Sequence, residues 1–298
     1  MAKSDLANKT ARIRTVKNIL RWCFYVVVAV FFFFPFYYML TRSIMTARQS
    51  AERPIVLIPT DITFGMWRSI FSGEDSGNSL PYIKFLFNTM KIVVFNIIFI
   101  PLSASFVAFG FAKCKFVGKN VLFAIMLSTI LLPATIVQVP LYVLYGDLHL
   151  LNTYWPLMLP CVFGGGAMRI FLIRQFMLGI PKELDEAAEI DGAGYFRRYL
   201  QITLPNCFAV LIFIIVEVFV SNWGDYYGPM IYMSIAKEEK YTLAYAVFLR
   251  FQNSNGIHAE DVGMRAAVGT LMSFPPLILF FCFQRNMIEG VVMSGIKG

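Results

Sequence analysis

Histidine is nearly missing from this 298-residue chain: only His149 and His258 occur, far apart. Without a nearby cluster of imidazoles or thiols, a metal centre has little to be built from. The five cysteines, Cys23, Cys114, Cys161, Cys207 and Cys282, form no CxxC pair and lie in or beside apolar runs, where cysteine acts as a small hydrophobe. Charge is scarce too, at 15% of residues against about 25% in a soluble domain. A phosphate-cradling GxxxxGK[ST] loop is also lacking. The nearest approach is Gly118-Lys119-Asn120, with Lys113 where the first glycine should stand and Asn120 where the hydroxyl should. No nucleotide site and no cofactor of its own are therefore expected for the chain.

What fills the space is apolar. Hydrophobic residues make up 58% of the chain, and thirty Phe and fourteen Tyr enrich the apolar runs and their rims. Such a composition belongs to an integral membrane protein. Six apolar runs read as spans: Trp22–Thr41, Phe85–Ala112, Val121–Tyr145, Tyr154–Ile173, Cys207–Ser221 and Ala266–Phe283, of which Cys207–Ser221 is the shortest. The first follows a basic tail, residues 1–21, and is too long for the core of a signal peptide. Pro35 predicts a bend in it, and Pro133 and Pro140 predict a divided third span. The segment 42–84 reads as an outer loop, with a short amphipathic helix at Phe64–Phe71. A second outer segment covers Asn222–Arg265, and residues 285–298 form a tail.

Lysine and arginine decide the orientation. Segments assigned to the inside hold sixteen of them, counting Arg169 near the inner end of the fourth span, and those assigned outside hold nine, with Lys91 inside the second span, so both termini are expected in the cytoplasm. The net charge of +8 is thus a matter of topology, and no nucleic-acid partner is expected.

The organising stretch is Pro181–Pro205, PKELDEAAEIDGAGYFRRYLQITLP. Glu183, Asp185, Glu186, Glu189 and Asp191 fall within it, and at roughly 2.5 kcal/mol or more per acid it cannot lie in hydrocarbon. Pro181 suits a helix start, and the acids that follow sit at that helix's positive end. Gly192 predicts a stop. A second amphipathic helix then runs from Tyr195 with Arg197, Arg198 and Gln201 on its wetter face. The result is a helix, a sharp turn and a helix, a compact knob whose Ala187 and Ala188 admit a close neighbour.

Glu186-Ala187-Ala188, Gly192, Ile202, Leu204 and Pro205, in that spacing, resemble the EAA loop of ABC importer permeases. Leu151-Asn152-Thr153-Tyr154-Trp155 and the terminal Gly295-Ile296-Lys297-Gly298 look like the carbohydrate-uptake, MalG-like branch. The resemblance implies an all-α integral membrane protein with six transmembrane helices in the type I ABC importer permease (MetI-like) fold, in a bacterial inner membrane. It implies a second homologous permease, two cytosolic ATPase subunits, an extracytoplasmic solute-binding protein and a carbohydrate cargo. It gives Glu186, Ala187, Ala188, Gly192, Ile202, Leu204 and Pro205 to ATPase coupling, and Gly295, Lys297 and Gly298 to a tail between the ATPase subunits. The sequence departs from the pattern at Asn206-Cys207-Phe208, which lacks a second proline, and in a long Ala236–Gly263 segment.

Glu217 is the acid deepest in an apolar span, and it reads either as functional or as a proton-bearing or paired structural carboxyl. Arg169 is expected to snorkel from the fourth span to the inner surface. Asn88, Asn96, Gln138, Ser221 and Asn222 are polar candidates for a sugar path, with Trp223 or Tyr226 stacking on a ring; each also serves as helix–helix glue. Two other classes compete. An ion-coupled carrier acting alone predicts symmetry between halves and more ionisable groups in the spans. A membrane transferase or protease predicts clustered acids, histidine or a nucleophile at one face.

Overall fold

The computed structural model describes residues 2–52, 54–73, 81–252 and 259–295, with side chains described within 14–252 and 262–285. Helices dominate, and among the described residues the only strand-like pairing is one isolated antiparallel bridge, Met45 with Ile62. The chain divides into two compact units, residues 1–69 with 255–271, and residues 70–254 with 272–298.

The first unit is built on α1 (Ala2–Ser43), a single helix that runs through Pro35. Its apolar side chains from Trp22 to Phe36 are exposed on nearly every face, as on a helix whose solvent is lipid. Beyond it the chain turns back on itself. Thr46 caps α2 (Ala47–Ala51) by accepting from the Gln49 amide, and the Thr63 amide donates to the Ile44 carbonyl at 2.8 Å. The expected short amphipathic helix is present as α3 (Gly65–Ser72), held in part by Trp67 Nε1 donating to Ser43 Oγ. Gly269 lets the last helix of the chain approach this unit closely, since a Cβ there would meet Met39 Sδ at 2.8 Å.

The second unit is organised around α4 (Tyr82–Lys113), which continues through Pro101. After a turn, α5 (Lys119–Ser128) passes into a 3₁₀ turn and breaks at Leu132-Pro133, and α6 (Ala134–Asp147) leaves at 100° to it. Next come α7 (Trp155–Met158), a 3₁₀ segment (Leu159–Phe163) and α8 (Ala167–Leu178). The elbow contains α9 (Lys182–Ile190), α10 (Tyr195–Arg198), a π-helical turn (Tyr199–Thr203) and α11 (Leu204–Asn206). Then follow α12 (Phe208–Trp223), α13 (Tyr227–Tyr232), α14 (Leu243–Gln252) and α15 (Ala259–Gly295). Helices α8 and α12 pack along α4 around Ala104, Ala108, Ile173, Met177, Ile214 and Val218. The small residues of α4 let the three backbones come close, which is how helices associate where lipid is as apolar as leucine.

Among the described residues four helical stretches are long and apolar enough to cross a bilayer: Arg14–Ser43, Tyr82–Lys113, Trp155–Leu178 and Val262–Arg285. Two bent pairs, Lys119–Leu131 with Ala134–Asp147 and Tyr195–Asn206 with Phe208–Trp223, bring the number to the expected six when each counts as one span. The details differ in three places. Pro140 lies inside α6, so Pro133 alone divides the third span. The fourth span is not one run, because it breaks at Gly164-Gly165-Gly166, where φ is 86°, 61° and 119°. The last helix begins at Ala259, well before the expected start at Ala266.

Candidate functional site

The elbow between α8 and α12 takes its shape from one residue. Gly192 has φ 77°, and the Gly192 amide donates to the Glu189 carbonyl while the Ala193 amide donates to that of Ala188. These two bonds are the Schellman pattern that ends a helix through a left-handed residue. Pro181 precedes the first helical residue, and Glu183 and Asp185 occupy the first turn of α9. The second limb departs from the expected ending at Pro205: helical structure carries on to Asn206, and the 76° bend falls at Cys207.

Two ion pairs and one buried hydrogen bond hold the elbow. Lys113, the last residue of α4, meets Asp185 at 2.5 Å and also donates to the Ile180 carbonyl. Arg198 meets Glu189 at 2.7 Å and stacks on Tyr195, which ties the two limbs together. Below them Tyr199 and Ser105 of α4 share a buried hydroxyl bond of 2.8 Å. Glu183, Glu186, Ala187 and Asp191 are exposed, as are the apolar side chains of Ile190, Tyr195 and Phe196, while Ala188, Ile202 and Leu204 are half-buried. The outer surface of the elbow therefore combines unshielded carboxylates with apolar contact area. Nearby, burial pushes the Cys114 thiol above its usual value against the pull of Lys119 and Arg198.

The second feature lies in the spans. Arg169 does not snorkel. Its Nε and Nη2 donate to the two carboxylate oxygens of Glu217 at 2.7 and 2.9 Å, a fork-to-fork pair, and Nη1 donates to the Gly165 carbonyl. A broken helix leaves carbonyls that hydrocarbon cannot satisfy, and Arg169 supplies a donor one turn beyond the break. The glycines are also packed tightly: a Cβ at Gly164 would meet Ile170 at 2.8 Å, and one at Gly165 would meet Ile100 of α4 at 2.7 Å. Glu217 is legible in the sequence, whereas its partner is not. The three consecutive glycines one turn before Arg169 were the available signal.

The remaining path candidates separate. Asn88 is buried and spends its amide on the carbonyls of Glu239 and Tyr241, and buried Trp223 donates to the Met272 carbonyl, so both take part in the packing. Asn96 donates to Asn222 Oδ1 at 2.6 Å and to the Leu157 carbonyl, so this pair joins α4 to α12. Gln138 accepts from Tyr227, and exposed Tyr226 stacks on Phe248 at 4.7 Å. Ser221 is exposed one turn beyond Glu217. In the turn after α6, Asn152 takes φ 61° and binds three ways: its amide to the Tyr232 carbonyl, its side chain to the Ile235 amide and its carbonyl to Lys240. Beside this region Asp225 is held above the usual carboxylate range by burial, partly offset by the Gly228 and Tyr227 amides. Gly295 ends α15, while Lys297 and Gly298 lie outside the described residues, as does most of the Gly73–Gly77 turn.

Residues 93–291 match the model of the family described as binding-protein-dependent transport system inner membrane component. The chain belongs to this family. As an inner membrane component it is a membrane transport protein that works with a binding protein, and it is not an enzyme. The galactooligosaccharides transport system permease protein GanQ of Bacillus subtilis is 29% identical over 242 residues, covering 81% of this chain and 83% of that one. The sn-glycerol-3-phosphate transport system permease protein UgpE of Brucella melitensis is 29% identical over 284 residues, covering 94% and 97%. In fold, a chain of a bacterial ABC transporter involved in the import of the acidic polysaccharide alginate superposes with a TM-score of 0.75 at 20% identity, covering 91% of this chain and 96% of that one. This places the inner membrane component in the all-α permease fold of ABC importers.

Proposed function

We propose that this chain is the membrane-spanning permease subunit of an ATP-driven importer for a carbohydrate, an oligosaccharide in particular. It forms half of a translocation pathway with a second homologous permease, receives cargo from an extracytoplasmic binding protein and is driven by two cytosolic ATPase subunits. Both termini then lie in the cytoplasm. The saccharide named for GanQ supports the cargo class.

The observation that carries the reading is the elbow: an ion-paired turn that exposes the carboxylates of Glu183, Glu186 and Asp191 together with apolar Ile190 and Phe196. Such a surface suits a basic-rimmed apolar cleft on a partner, with Glu186 pairing there and Ala187 allowing close approach. Motion of that cleft as ATP binds would pass through Gly192, Ile202, Leu204 and Pro205 into α8 and α12. It would also pass into α4, because Lys113–Asp185 and Ser105–Tyr199 bind the elbow to a helix that is not its neighbour in sequence. The tail Gly295, Lys297 and Gly298 is assigned to contact with the ATPase subunits.

The test uses the importer reconstituted with its binding protein and ATPase. Gly192→Pro forces φ from 77° to about −65°, and Glu186→Lys reverses the exposed charge. Each is expected to lower ATP-dependent uptake at least tenfold with membrane insertion intact. Unchanged uptake in both, or uptake by the purified subunit without ATPase or nucleotide, overturns the coupling role.

A further inference from the structure

We infer that Arg169 and Glu217 form a net-neutral, hydroxyl-binding subsite on the wall of the translocation path, which favours uncharged sugars over acidic ones. The inference rests on the transport reading above and adds to it a site and a charge class. Arg169 stands nine residues from the elbow end of α8, and Glu217 nine from the elbow end of α12. At 1.5 Å per residue each lies about 14 Å in, close to half of a bilayer core of about 30 Å. Ionised groups at that depth are found facing protein or water and not lipid. Yet the pair is not enclosed, since its side chains keep 22% and 39% exposure. The same face of α12 continues through Val220, Ser221 and Gly224, all exposed at helical spacing from Glu217. A half-open ion pair with a serine one turn along is a wet wall.

The chemistry follows from counting donors. A guanidinium has five N–H groups, and Arg169 makes three bonds here, two to Glu217 and one to Gly165. Each carboxylate oxygen retains a second acceptor site. The pair therefore offers donors and acceptors side by side, the complement of adjacent sugar hydroxyls, while its summed charge is zero. An acidic sugar gains nothing, because the cation that could hold its carboxylate is already claimed in bidentate fashion. Among relatives that include permeases named for galactooligosaccharides and for sn-glycerol-3-phosphate, this geometry favours the uncharged cargo.

The test reads local charge directly. In the assembled importer, with Cys23, Cys114, Cys161, Cys207 and Cys282 replaced by serine, Ser221→Cys is labelled with an anionic and a cationic methanethiosulfonate of similar size. Labelling is read on this chain by mass spectrometry. Relative to their rates with a simple thiol in solution, both reagents are expected to react to a similar extent. Glu217→Gln uncovers the arginine and raises the anion-to-cation rate ratio about tenfold, Arg169→Gln lowers it about tenfold, and Glu217→Asp keeps the original ratio. Millimolar raffinose slows labelling, and trigalacturonate does so only after Glu217→Gln. Failure of both reagents to reach Ser221→Cys, a ratio that ignores Glu217→Gln, or equal protection by the acid in the unaltered pair overturns the proposal. Because ATP-dependent uptake is measured on the same preparation, the subsite can fail while the transport reading stands.

Discussion

The elbow and the middle of the spans each carry ion pairs, and the same bond has a different meaning in the two places. By geometry alone Lys113–Asp185 is the more enclosed, with side chains 12% and 15% exposed against 22% and 39% for Arg169–Glu217. Enclosure by protein is only part of the surroundings, however. At the elbow the uncovered remainder meets water, which solvates a charge whose partner is lost. Within the span hydrocarbon cannot solvate an ion, and a lost partner leaves a charge with few alternatives. The elbow pairs therefore set position, whereas the pair within the spans also supports the backbone around it through the Arg169 bond to Gly165.

Four substitutions test that contrast. Arg169→Ala should do the most damage, because it strands Glu217 and the Gly165 carbonyl together. A loss of about 3 kcal/mol or more in detergent unfolding is expected, exceeding that of Glu217→Ala, which leaves the arginine its carbonyl. Equal losses in the two variants would deny the carbonyl bond a role. Gly165→Ala comes next, at about 2–3 kcal/mol, since the residue sits at φ 61° and its methyl would press on Ile100. A melting temperature within a degree of the parent would show that the break can relax. Glu189→Gln should cost least, below about 1 kcal/mol, because that carboxylate is 70% exposed. A larger loss, measured at low and at high salt, would place the elbow pair in the same class as the mid-span one.

The same contrast explains what could be read from the sequence. The elbow was legible because its signals are local: acids packed into one helix start, a glycine at its end and an ordered spacing beyond. The number of spans was legible from apolar length, and the broken third span from Pro133. The break in the fourth was not, because three glycines in an apolar run look like packing until Ile100 and Ile170 are seen against them. Arg169 was misplaced for a related reason. A cation near a span end has a cheap route to water, and only the side-by-side packing of α8 and α12 shows that a carboxylate offers a shorter one. Asn88 and Trp223 were polar or amphipathic at plausible depths, but their hydrogen bonds run to distant carbonyls that no local pattern encodes.

The space around Gly192 is open, with no atom within 4 Å of where a Cβ would project. What that position demands is therefore handedness and not smallness. A mirror-image residue, D-alanine, prefers the torsion found there and would keep the knob facing the same way, while its natural enantiomer, no larger by a single atom, would turn it aside.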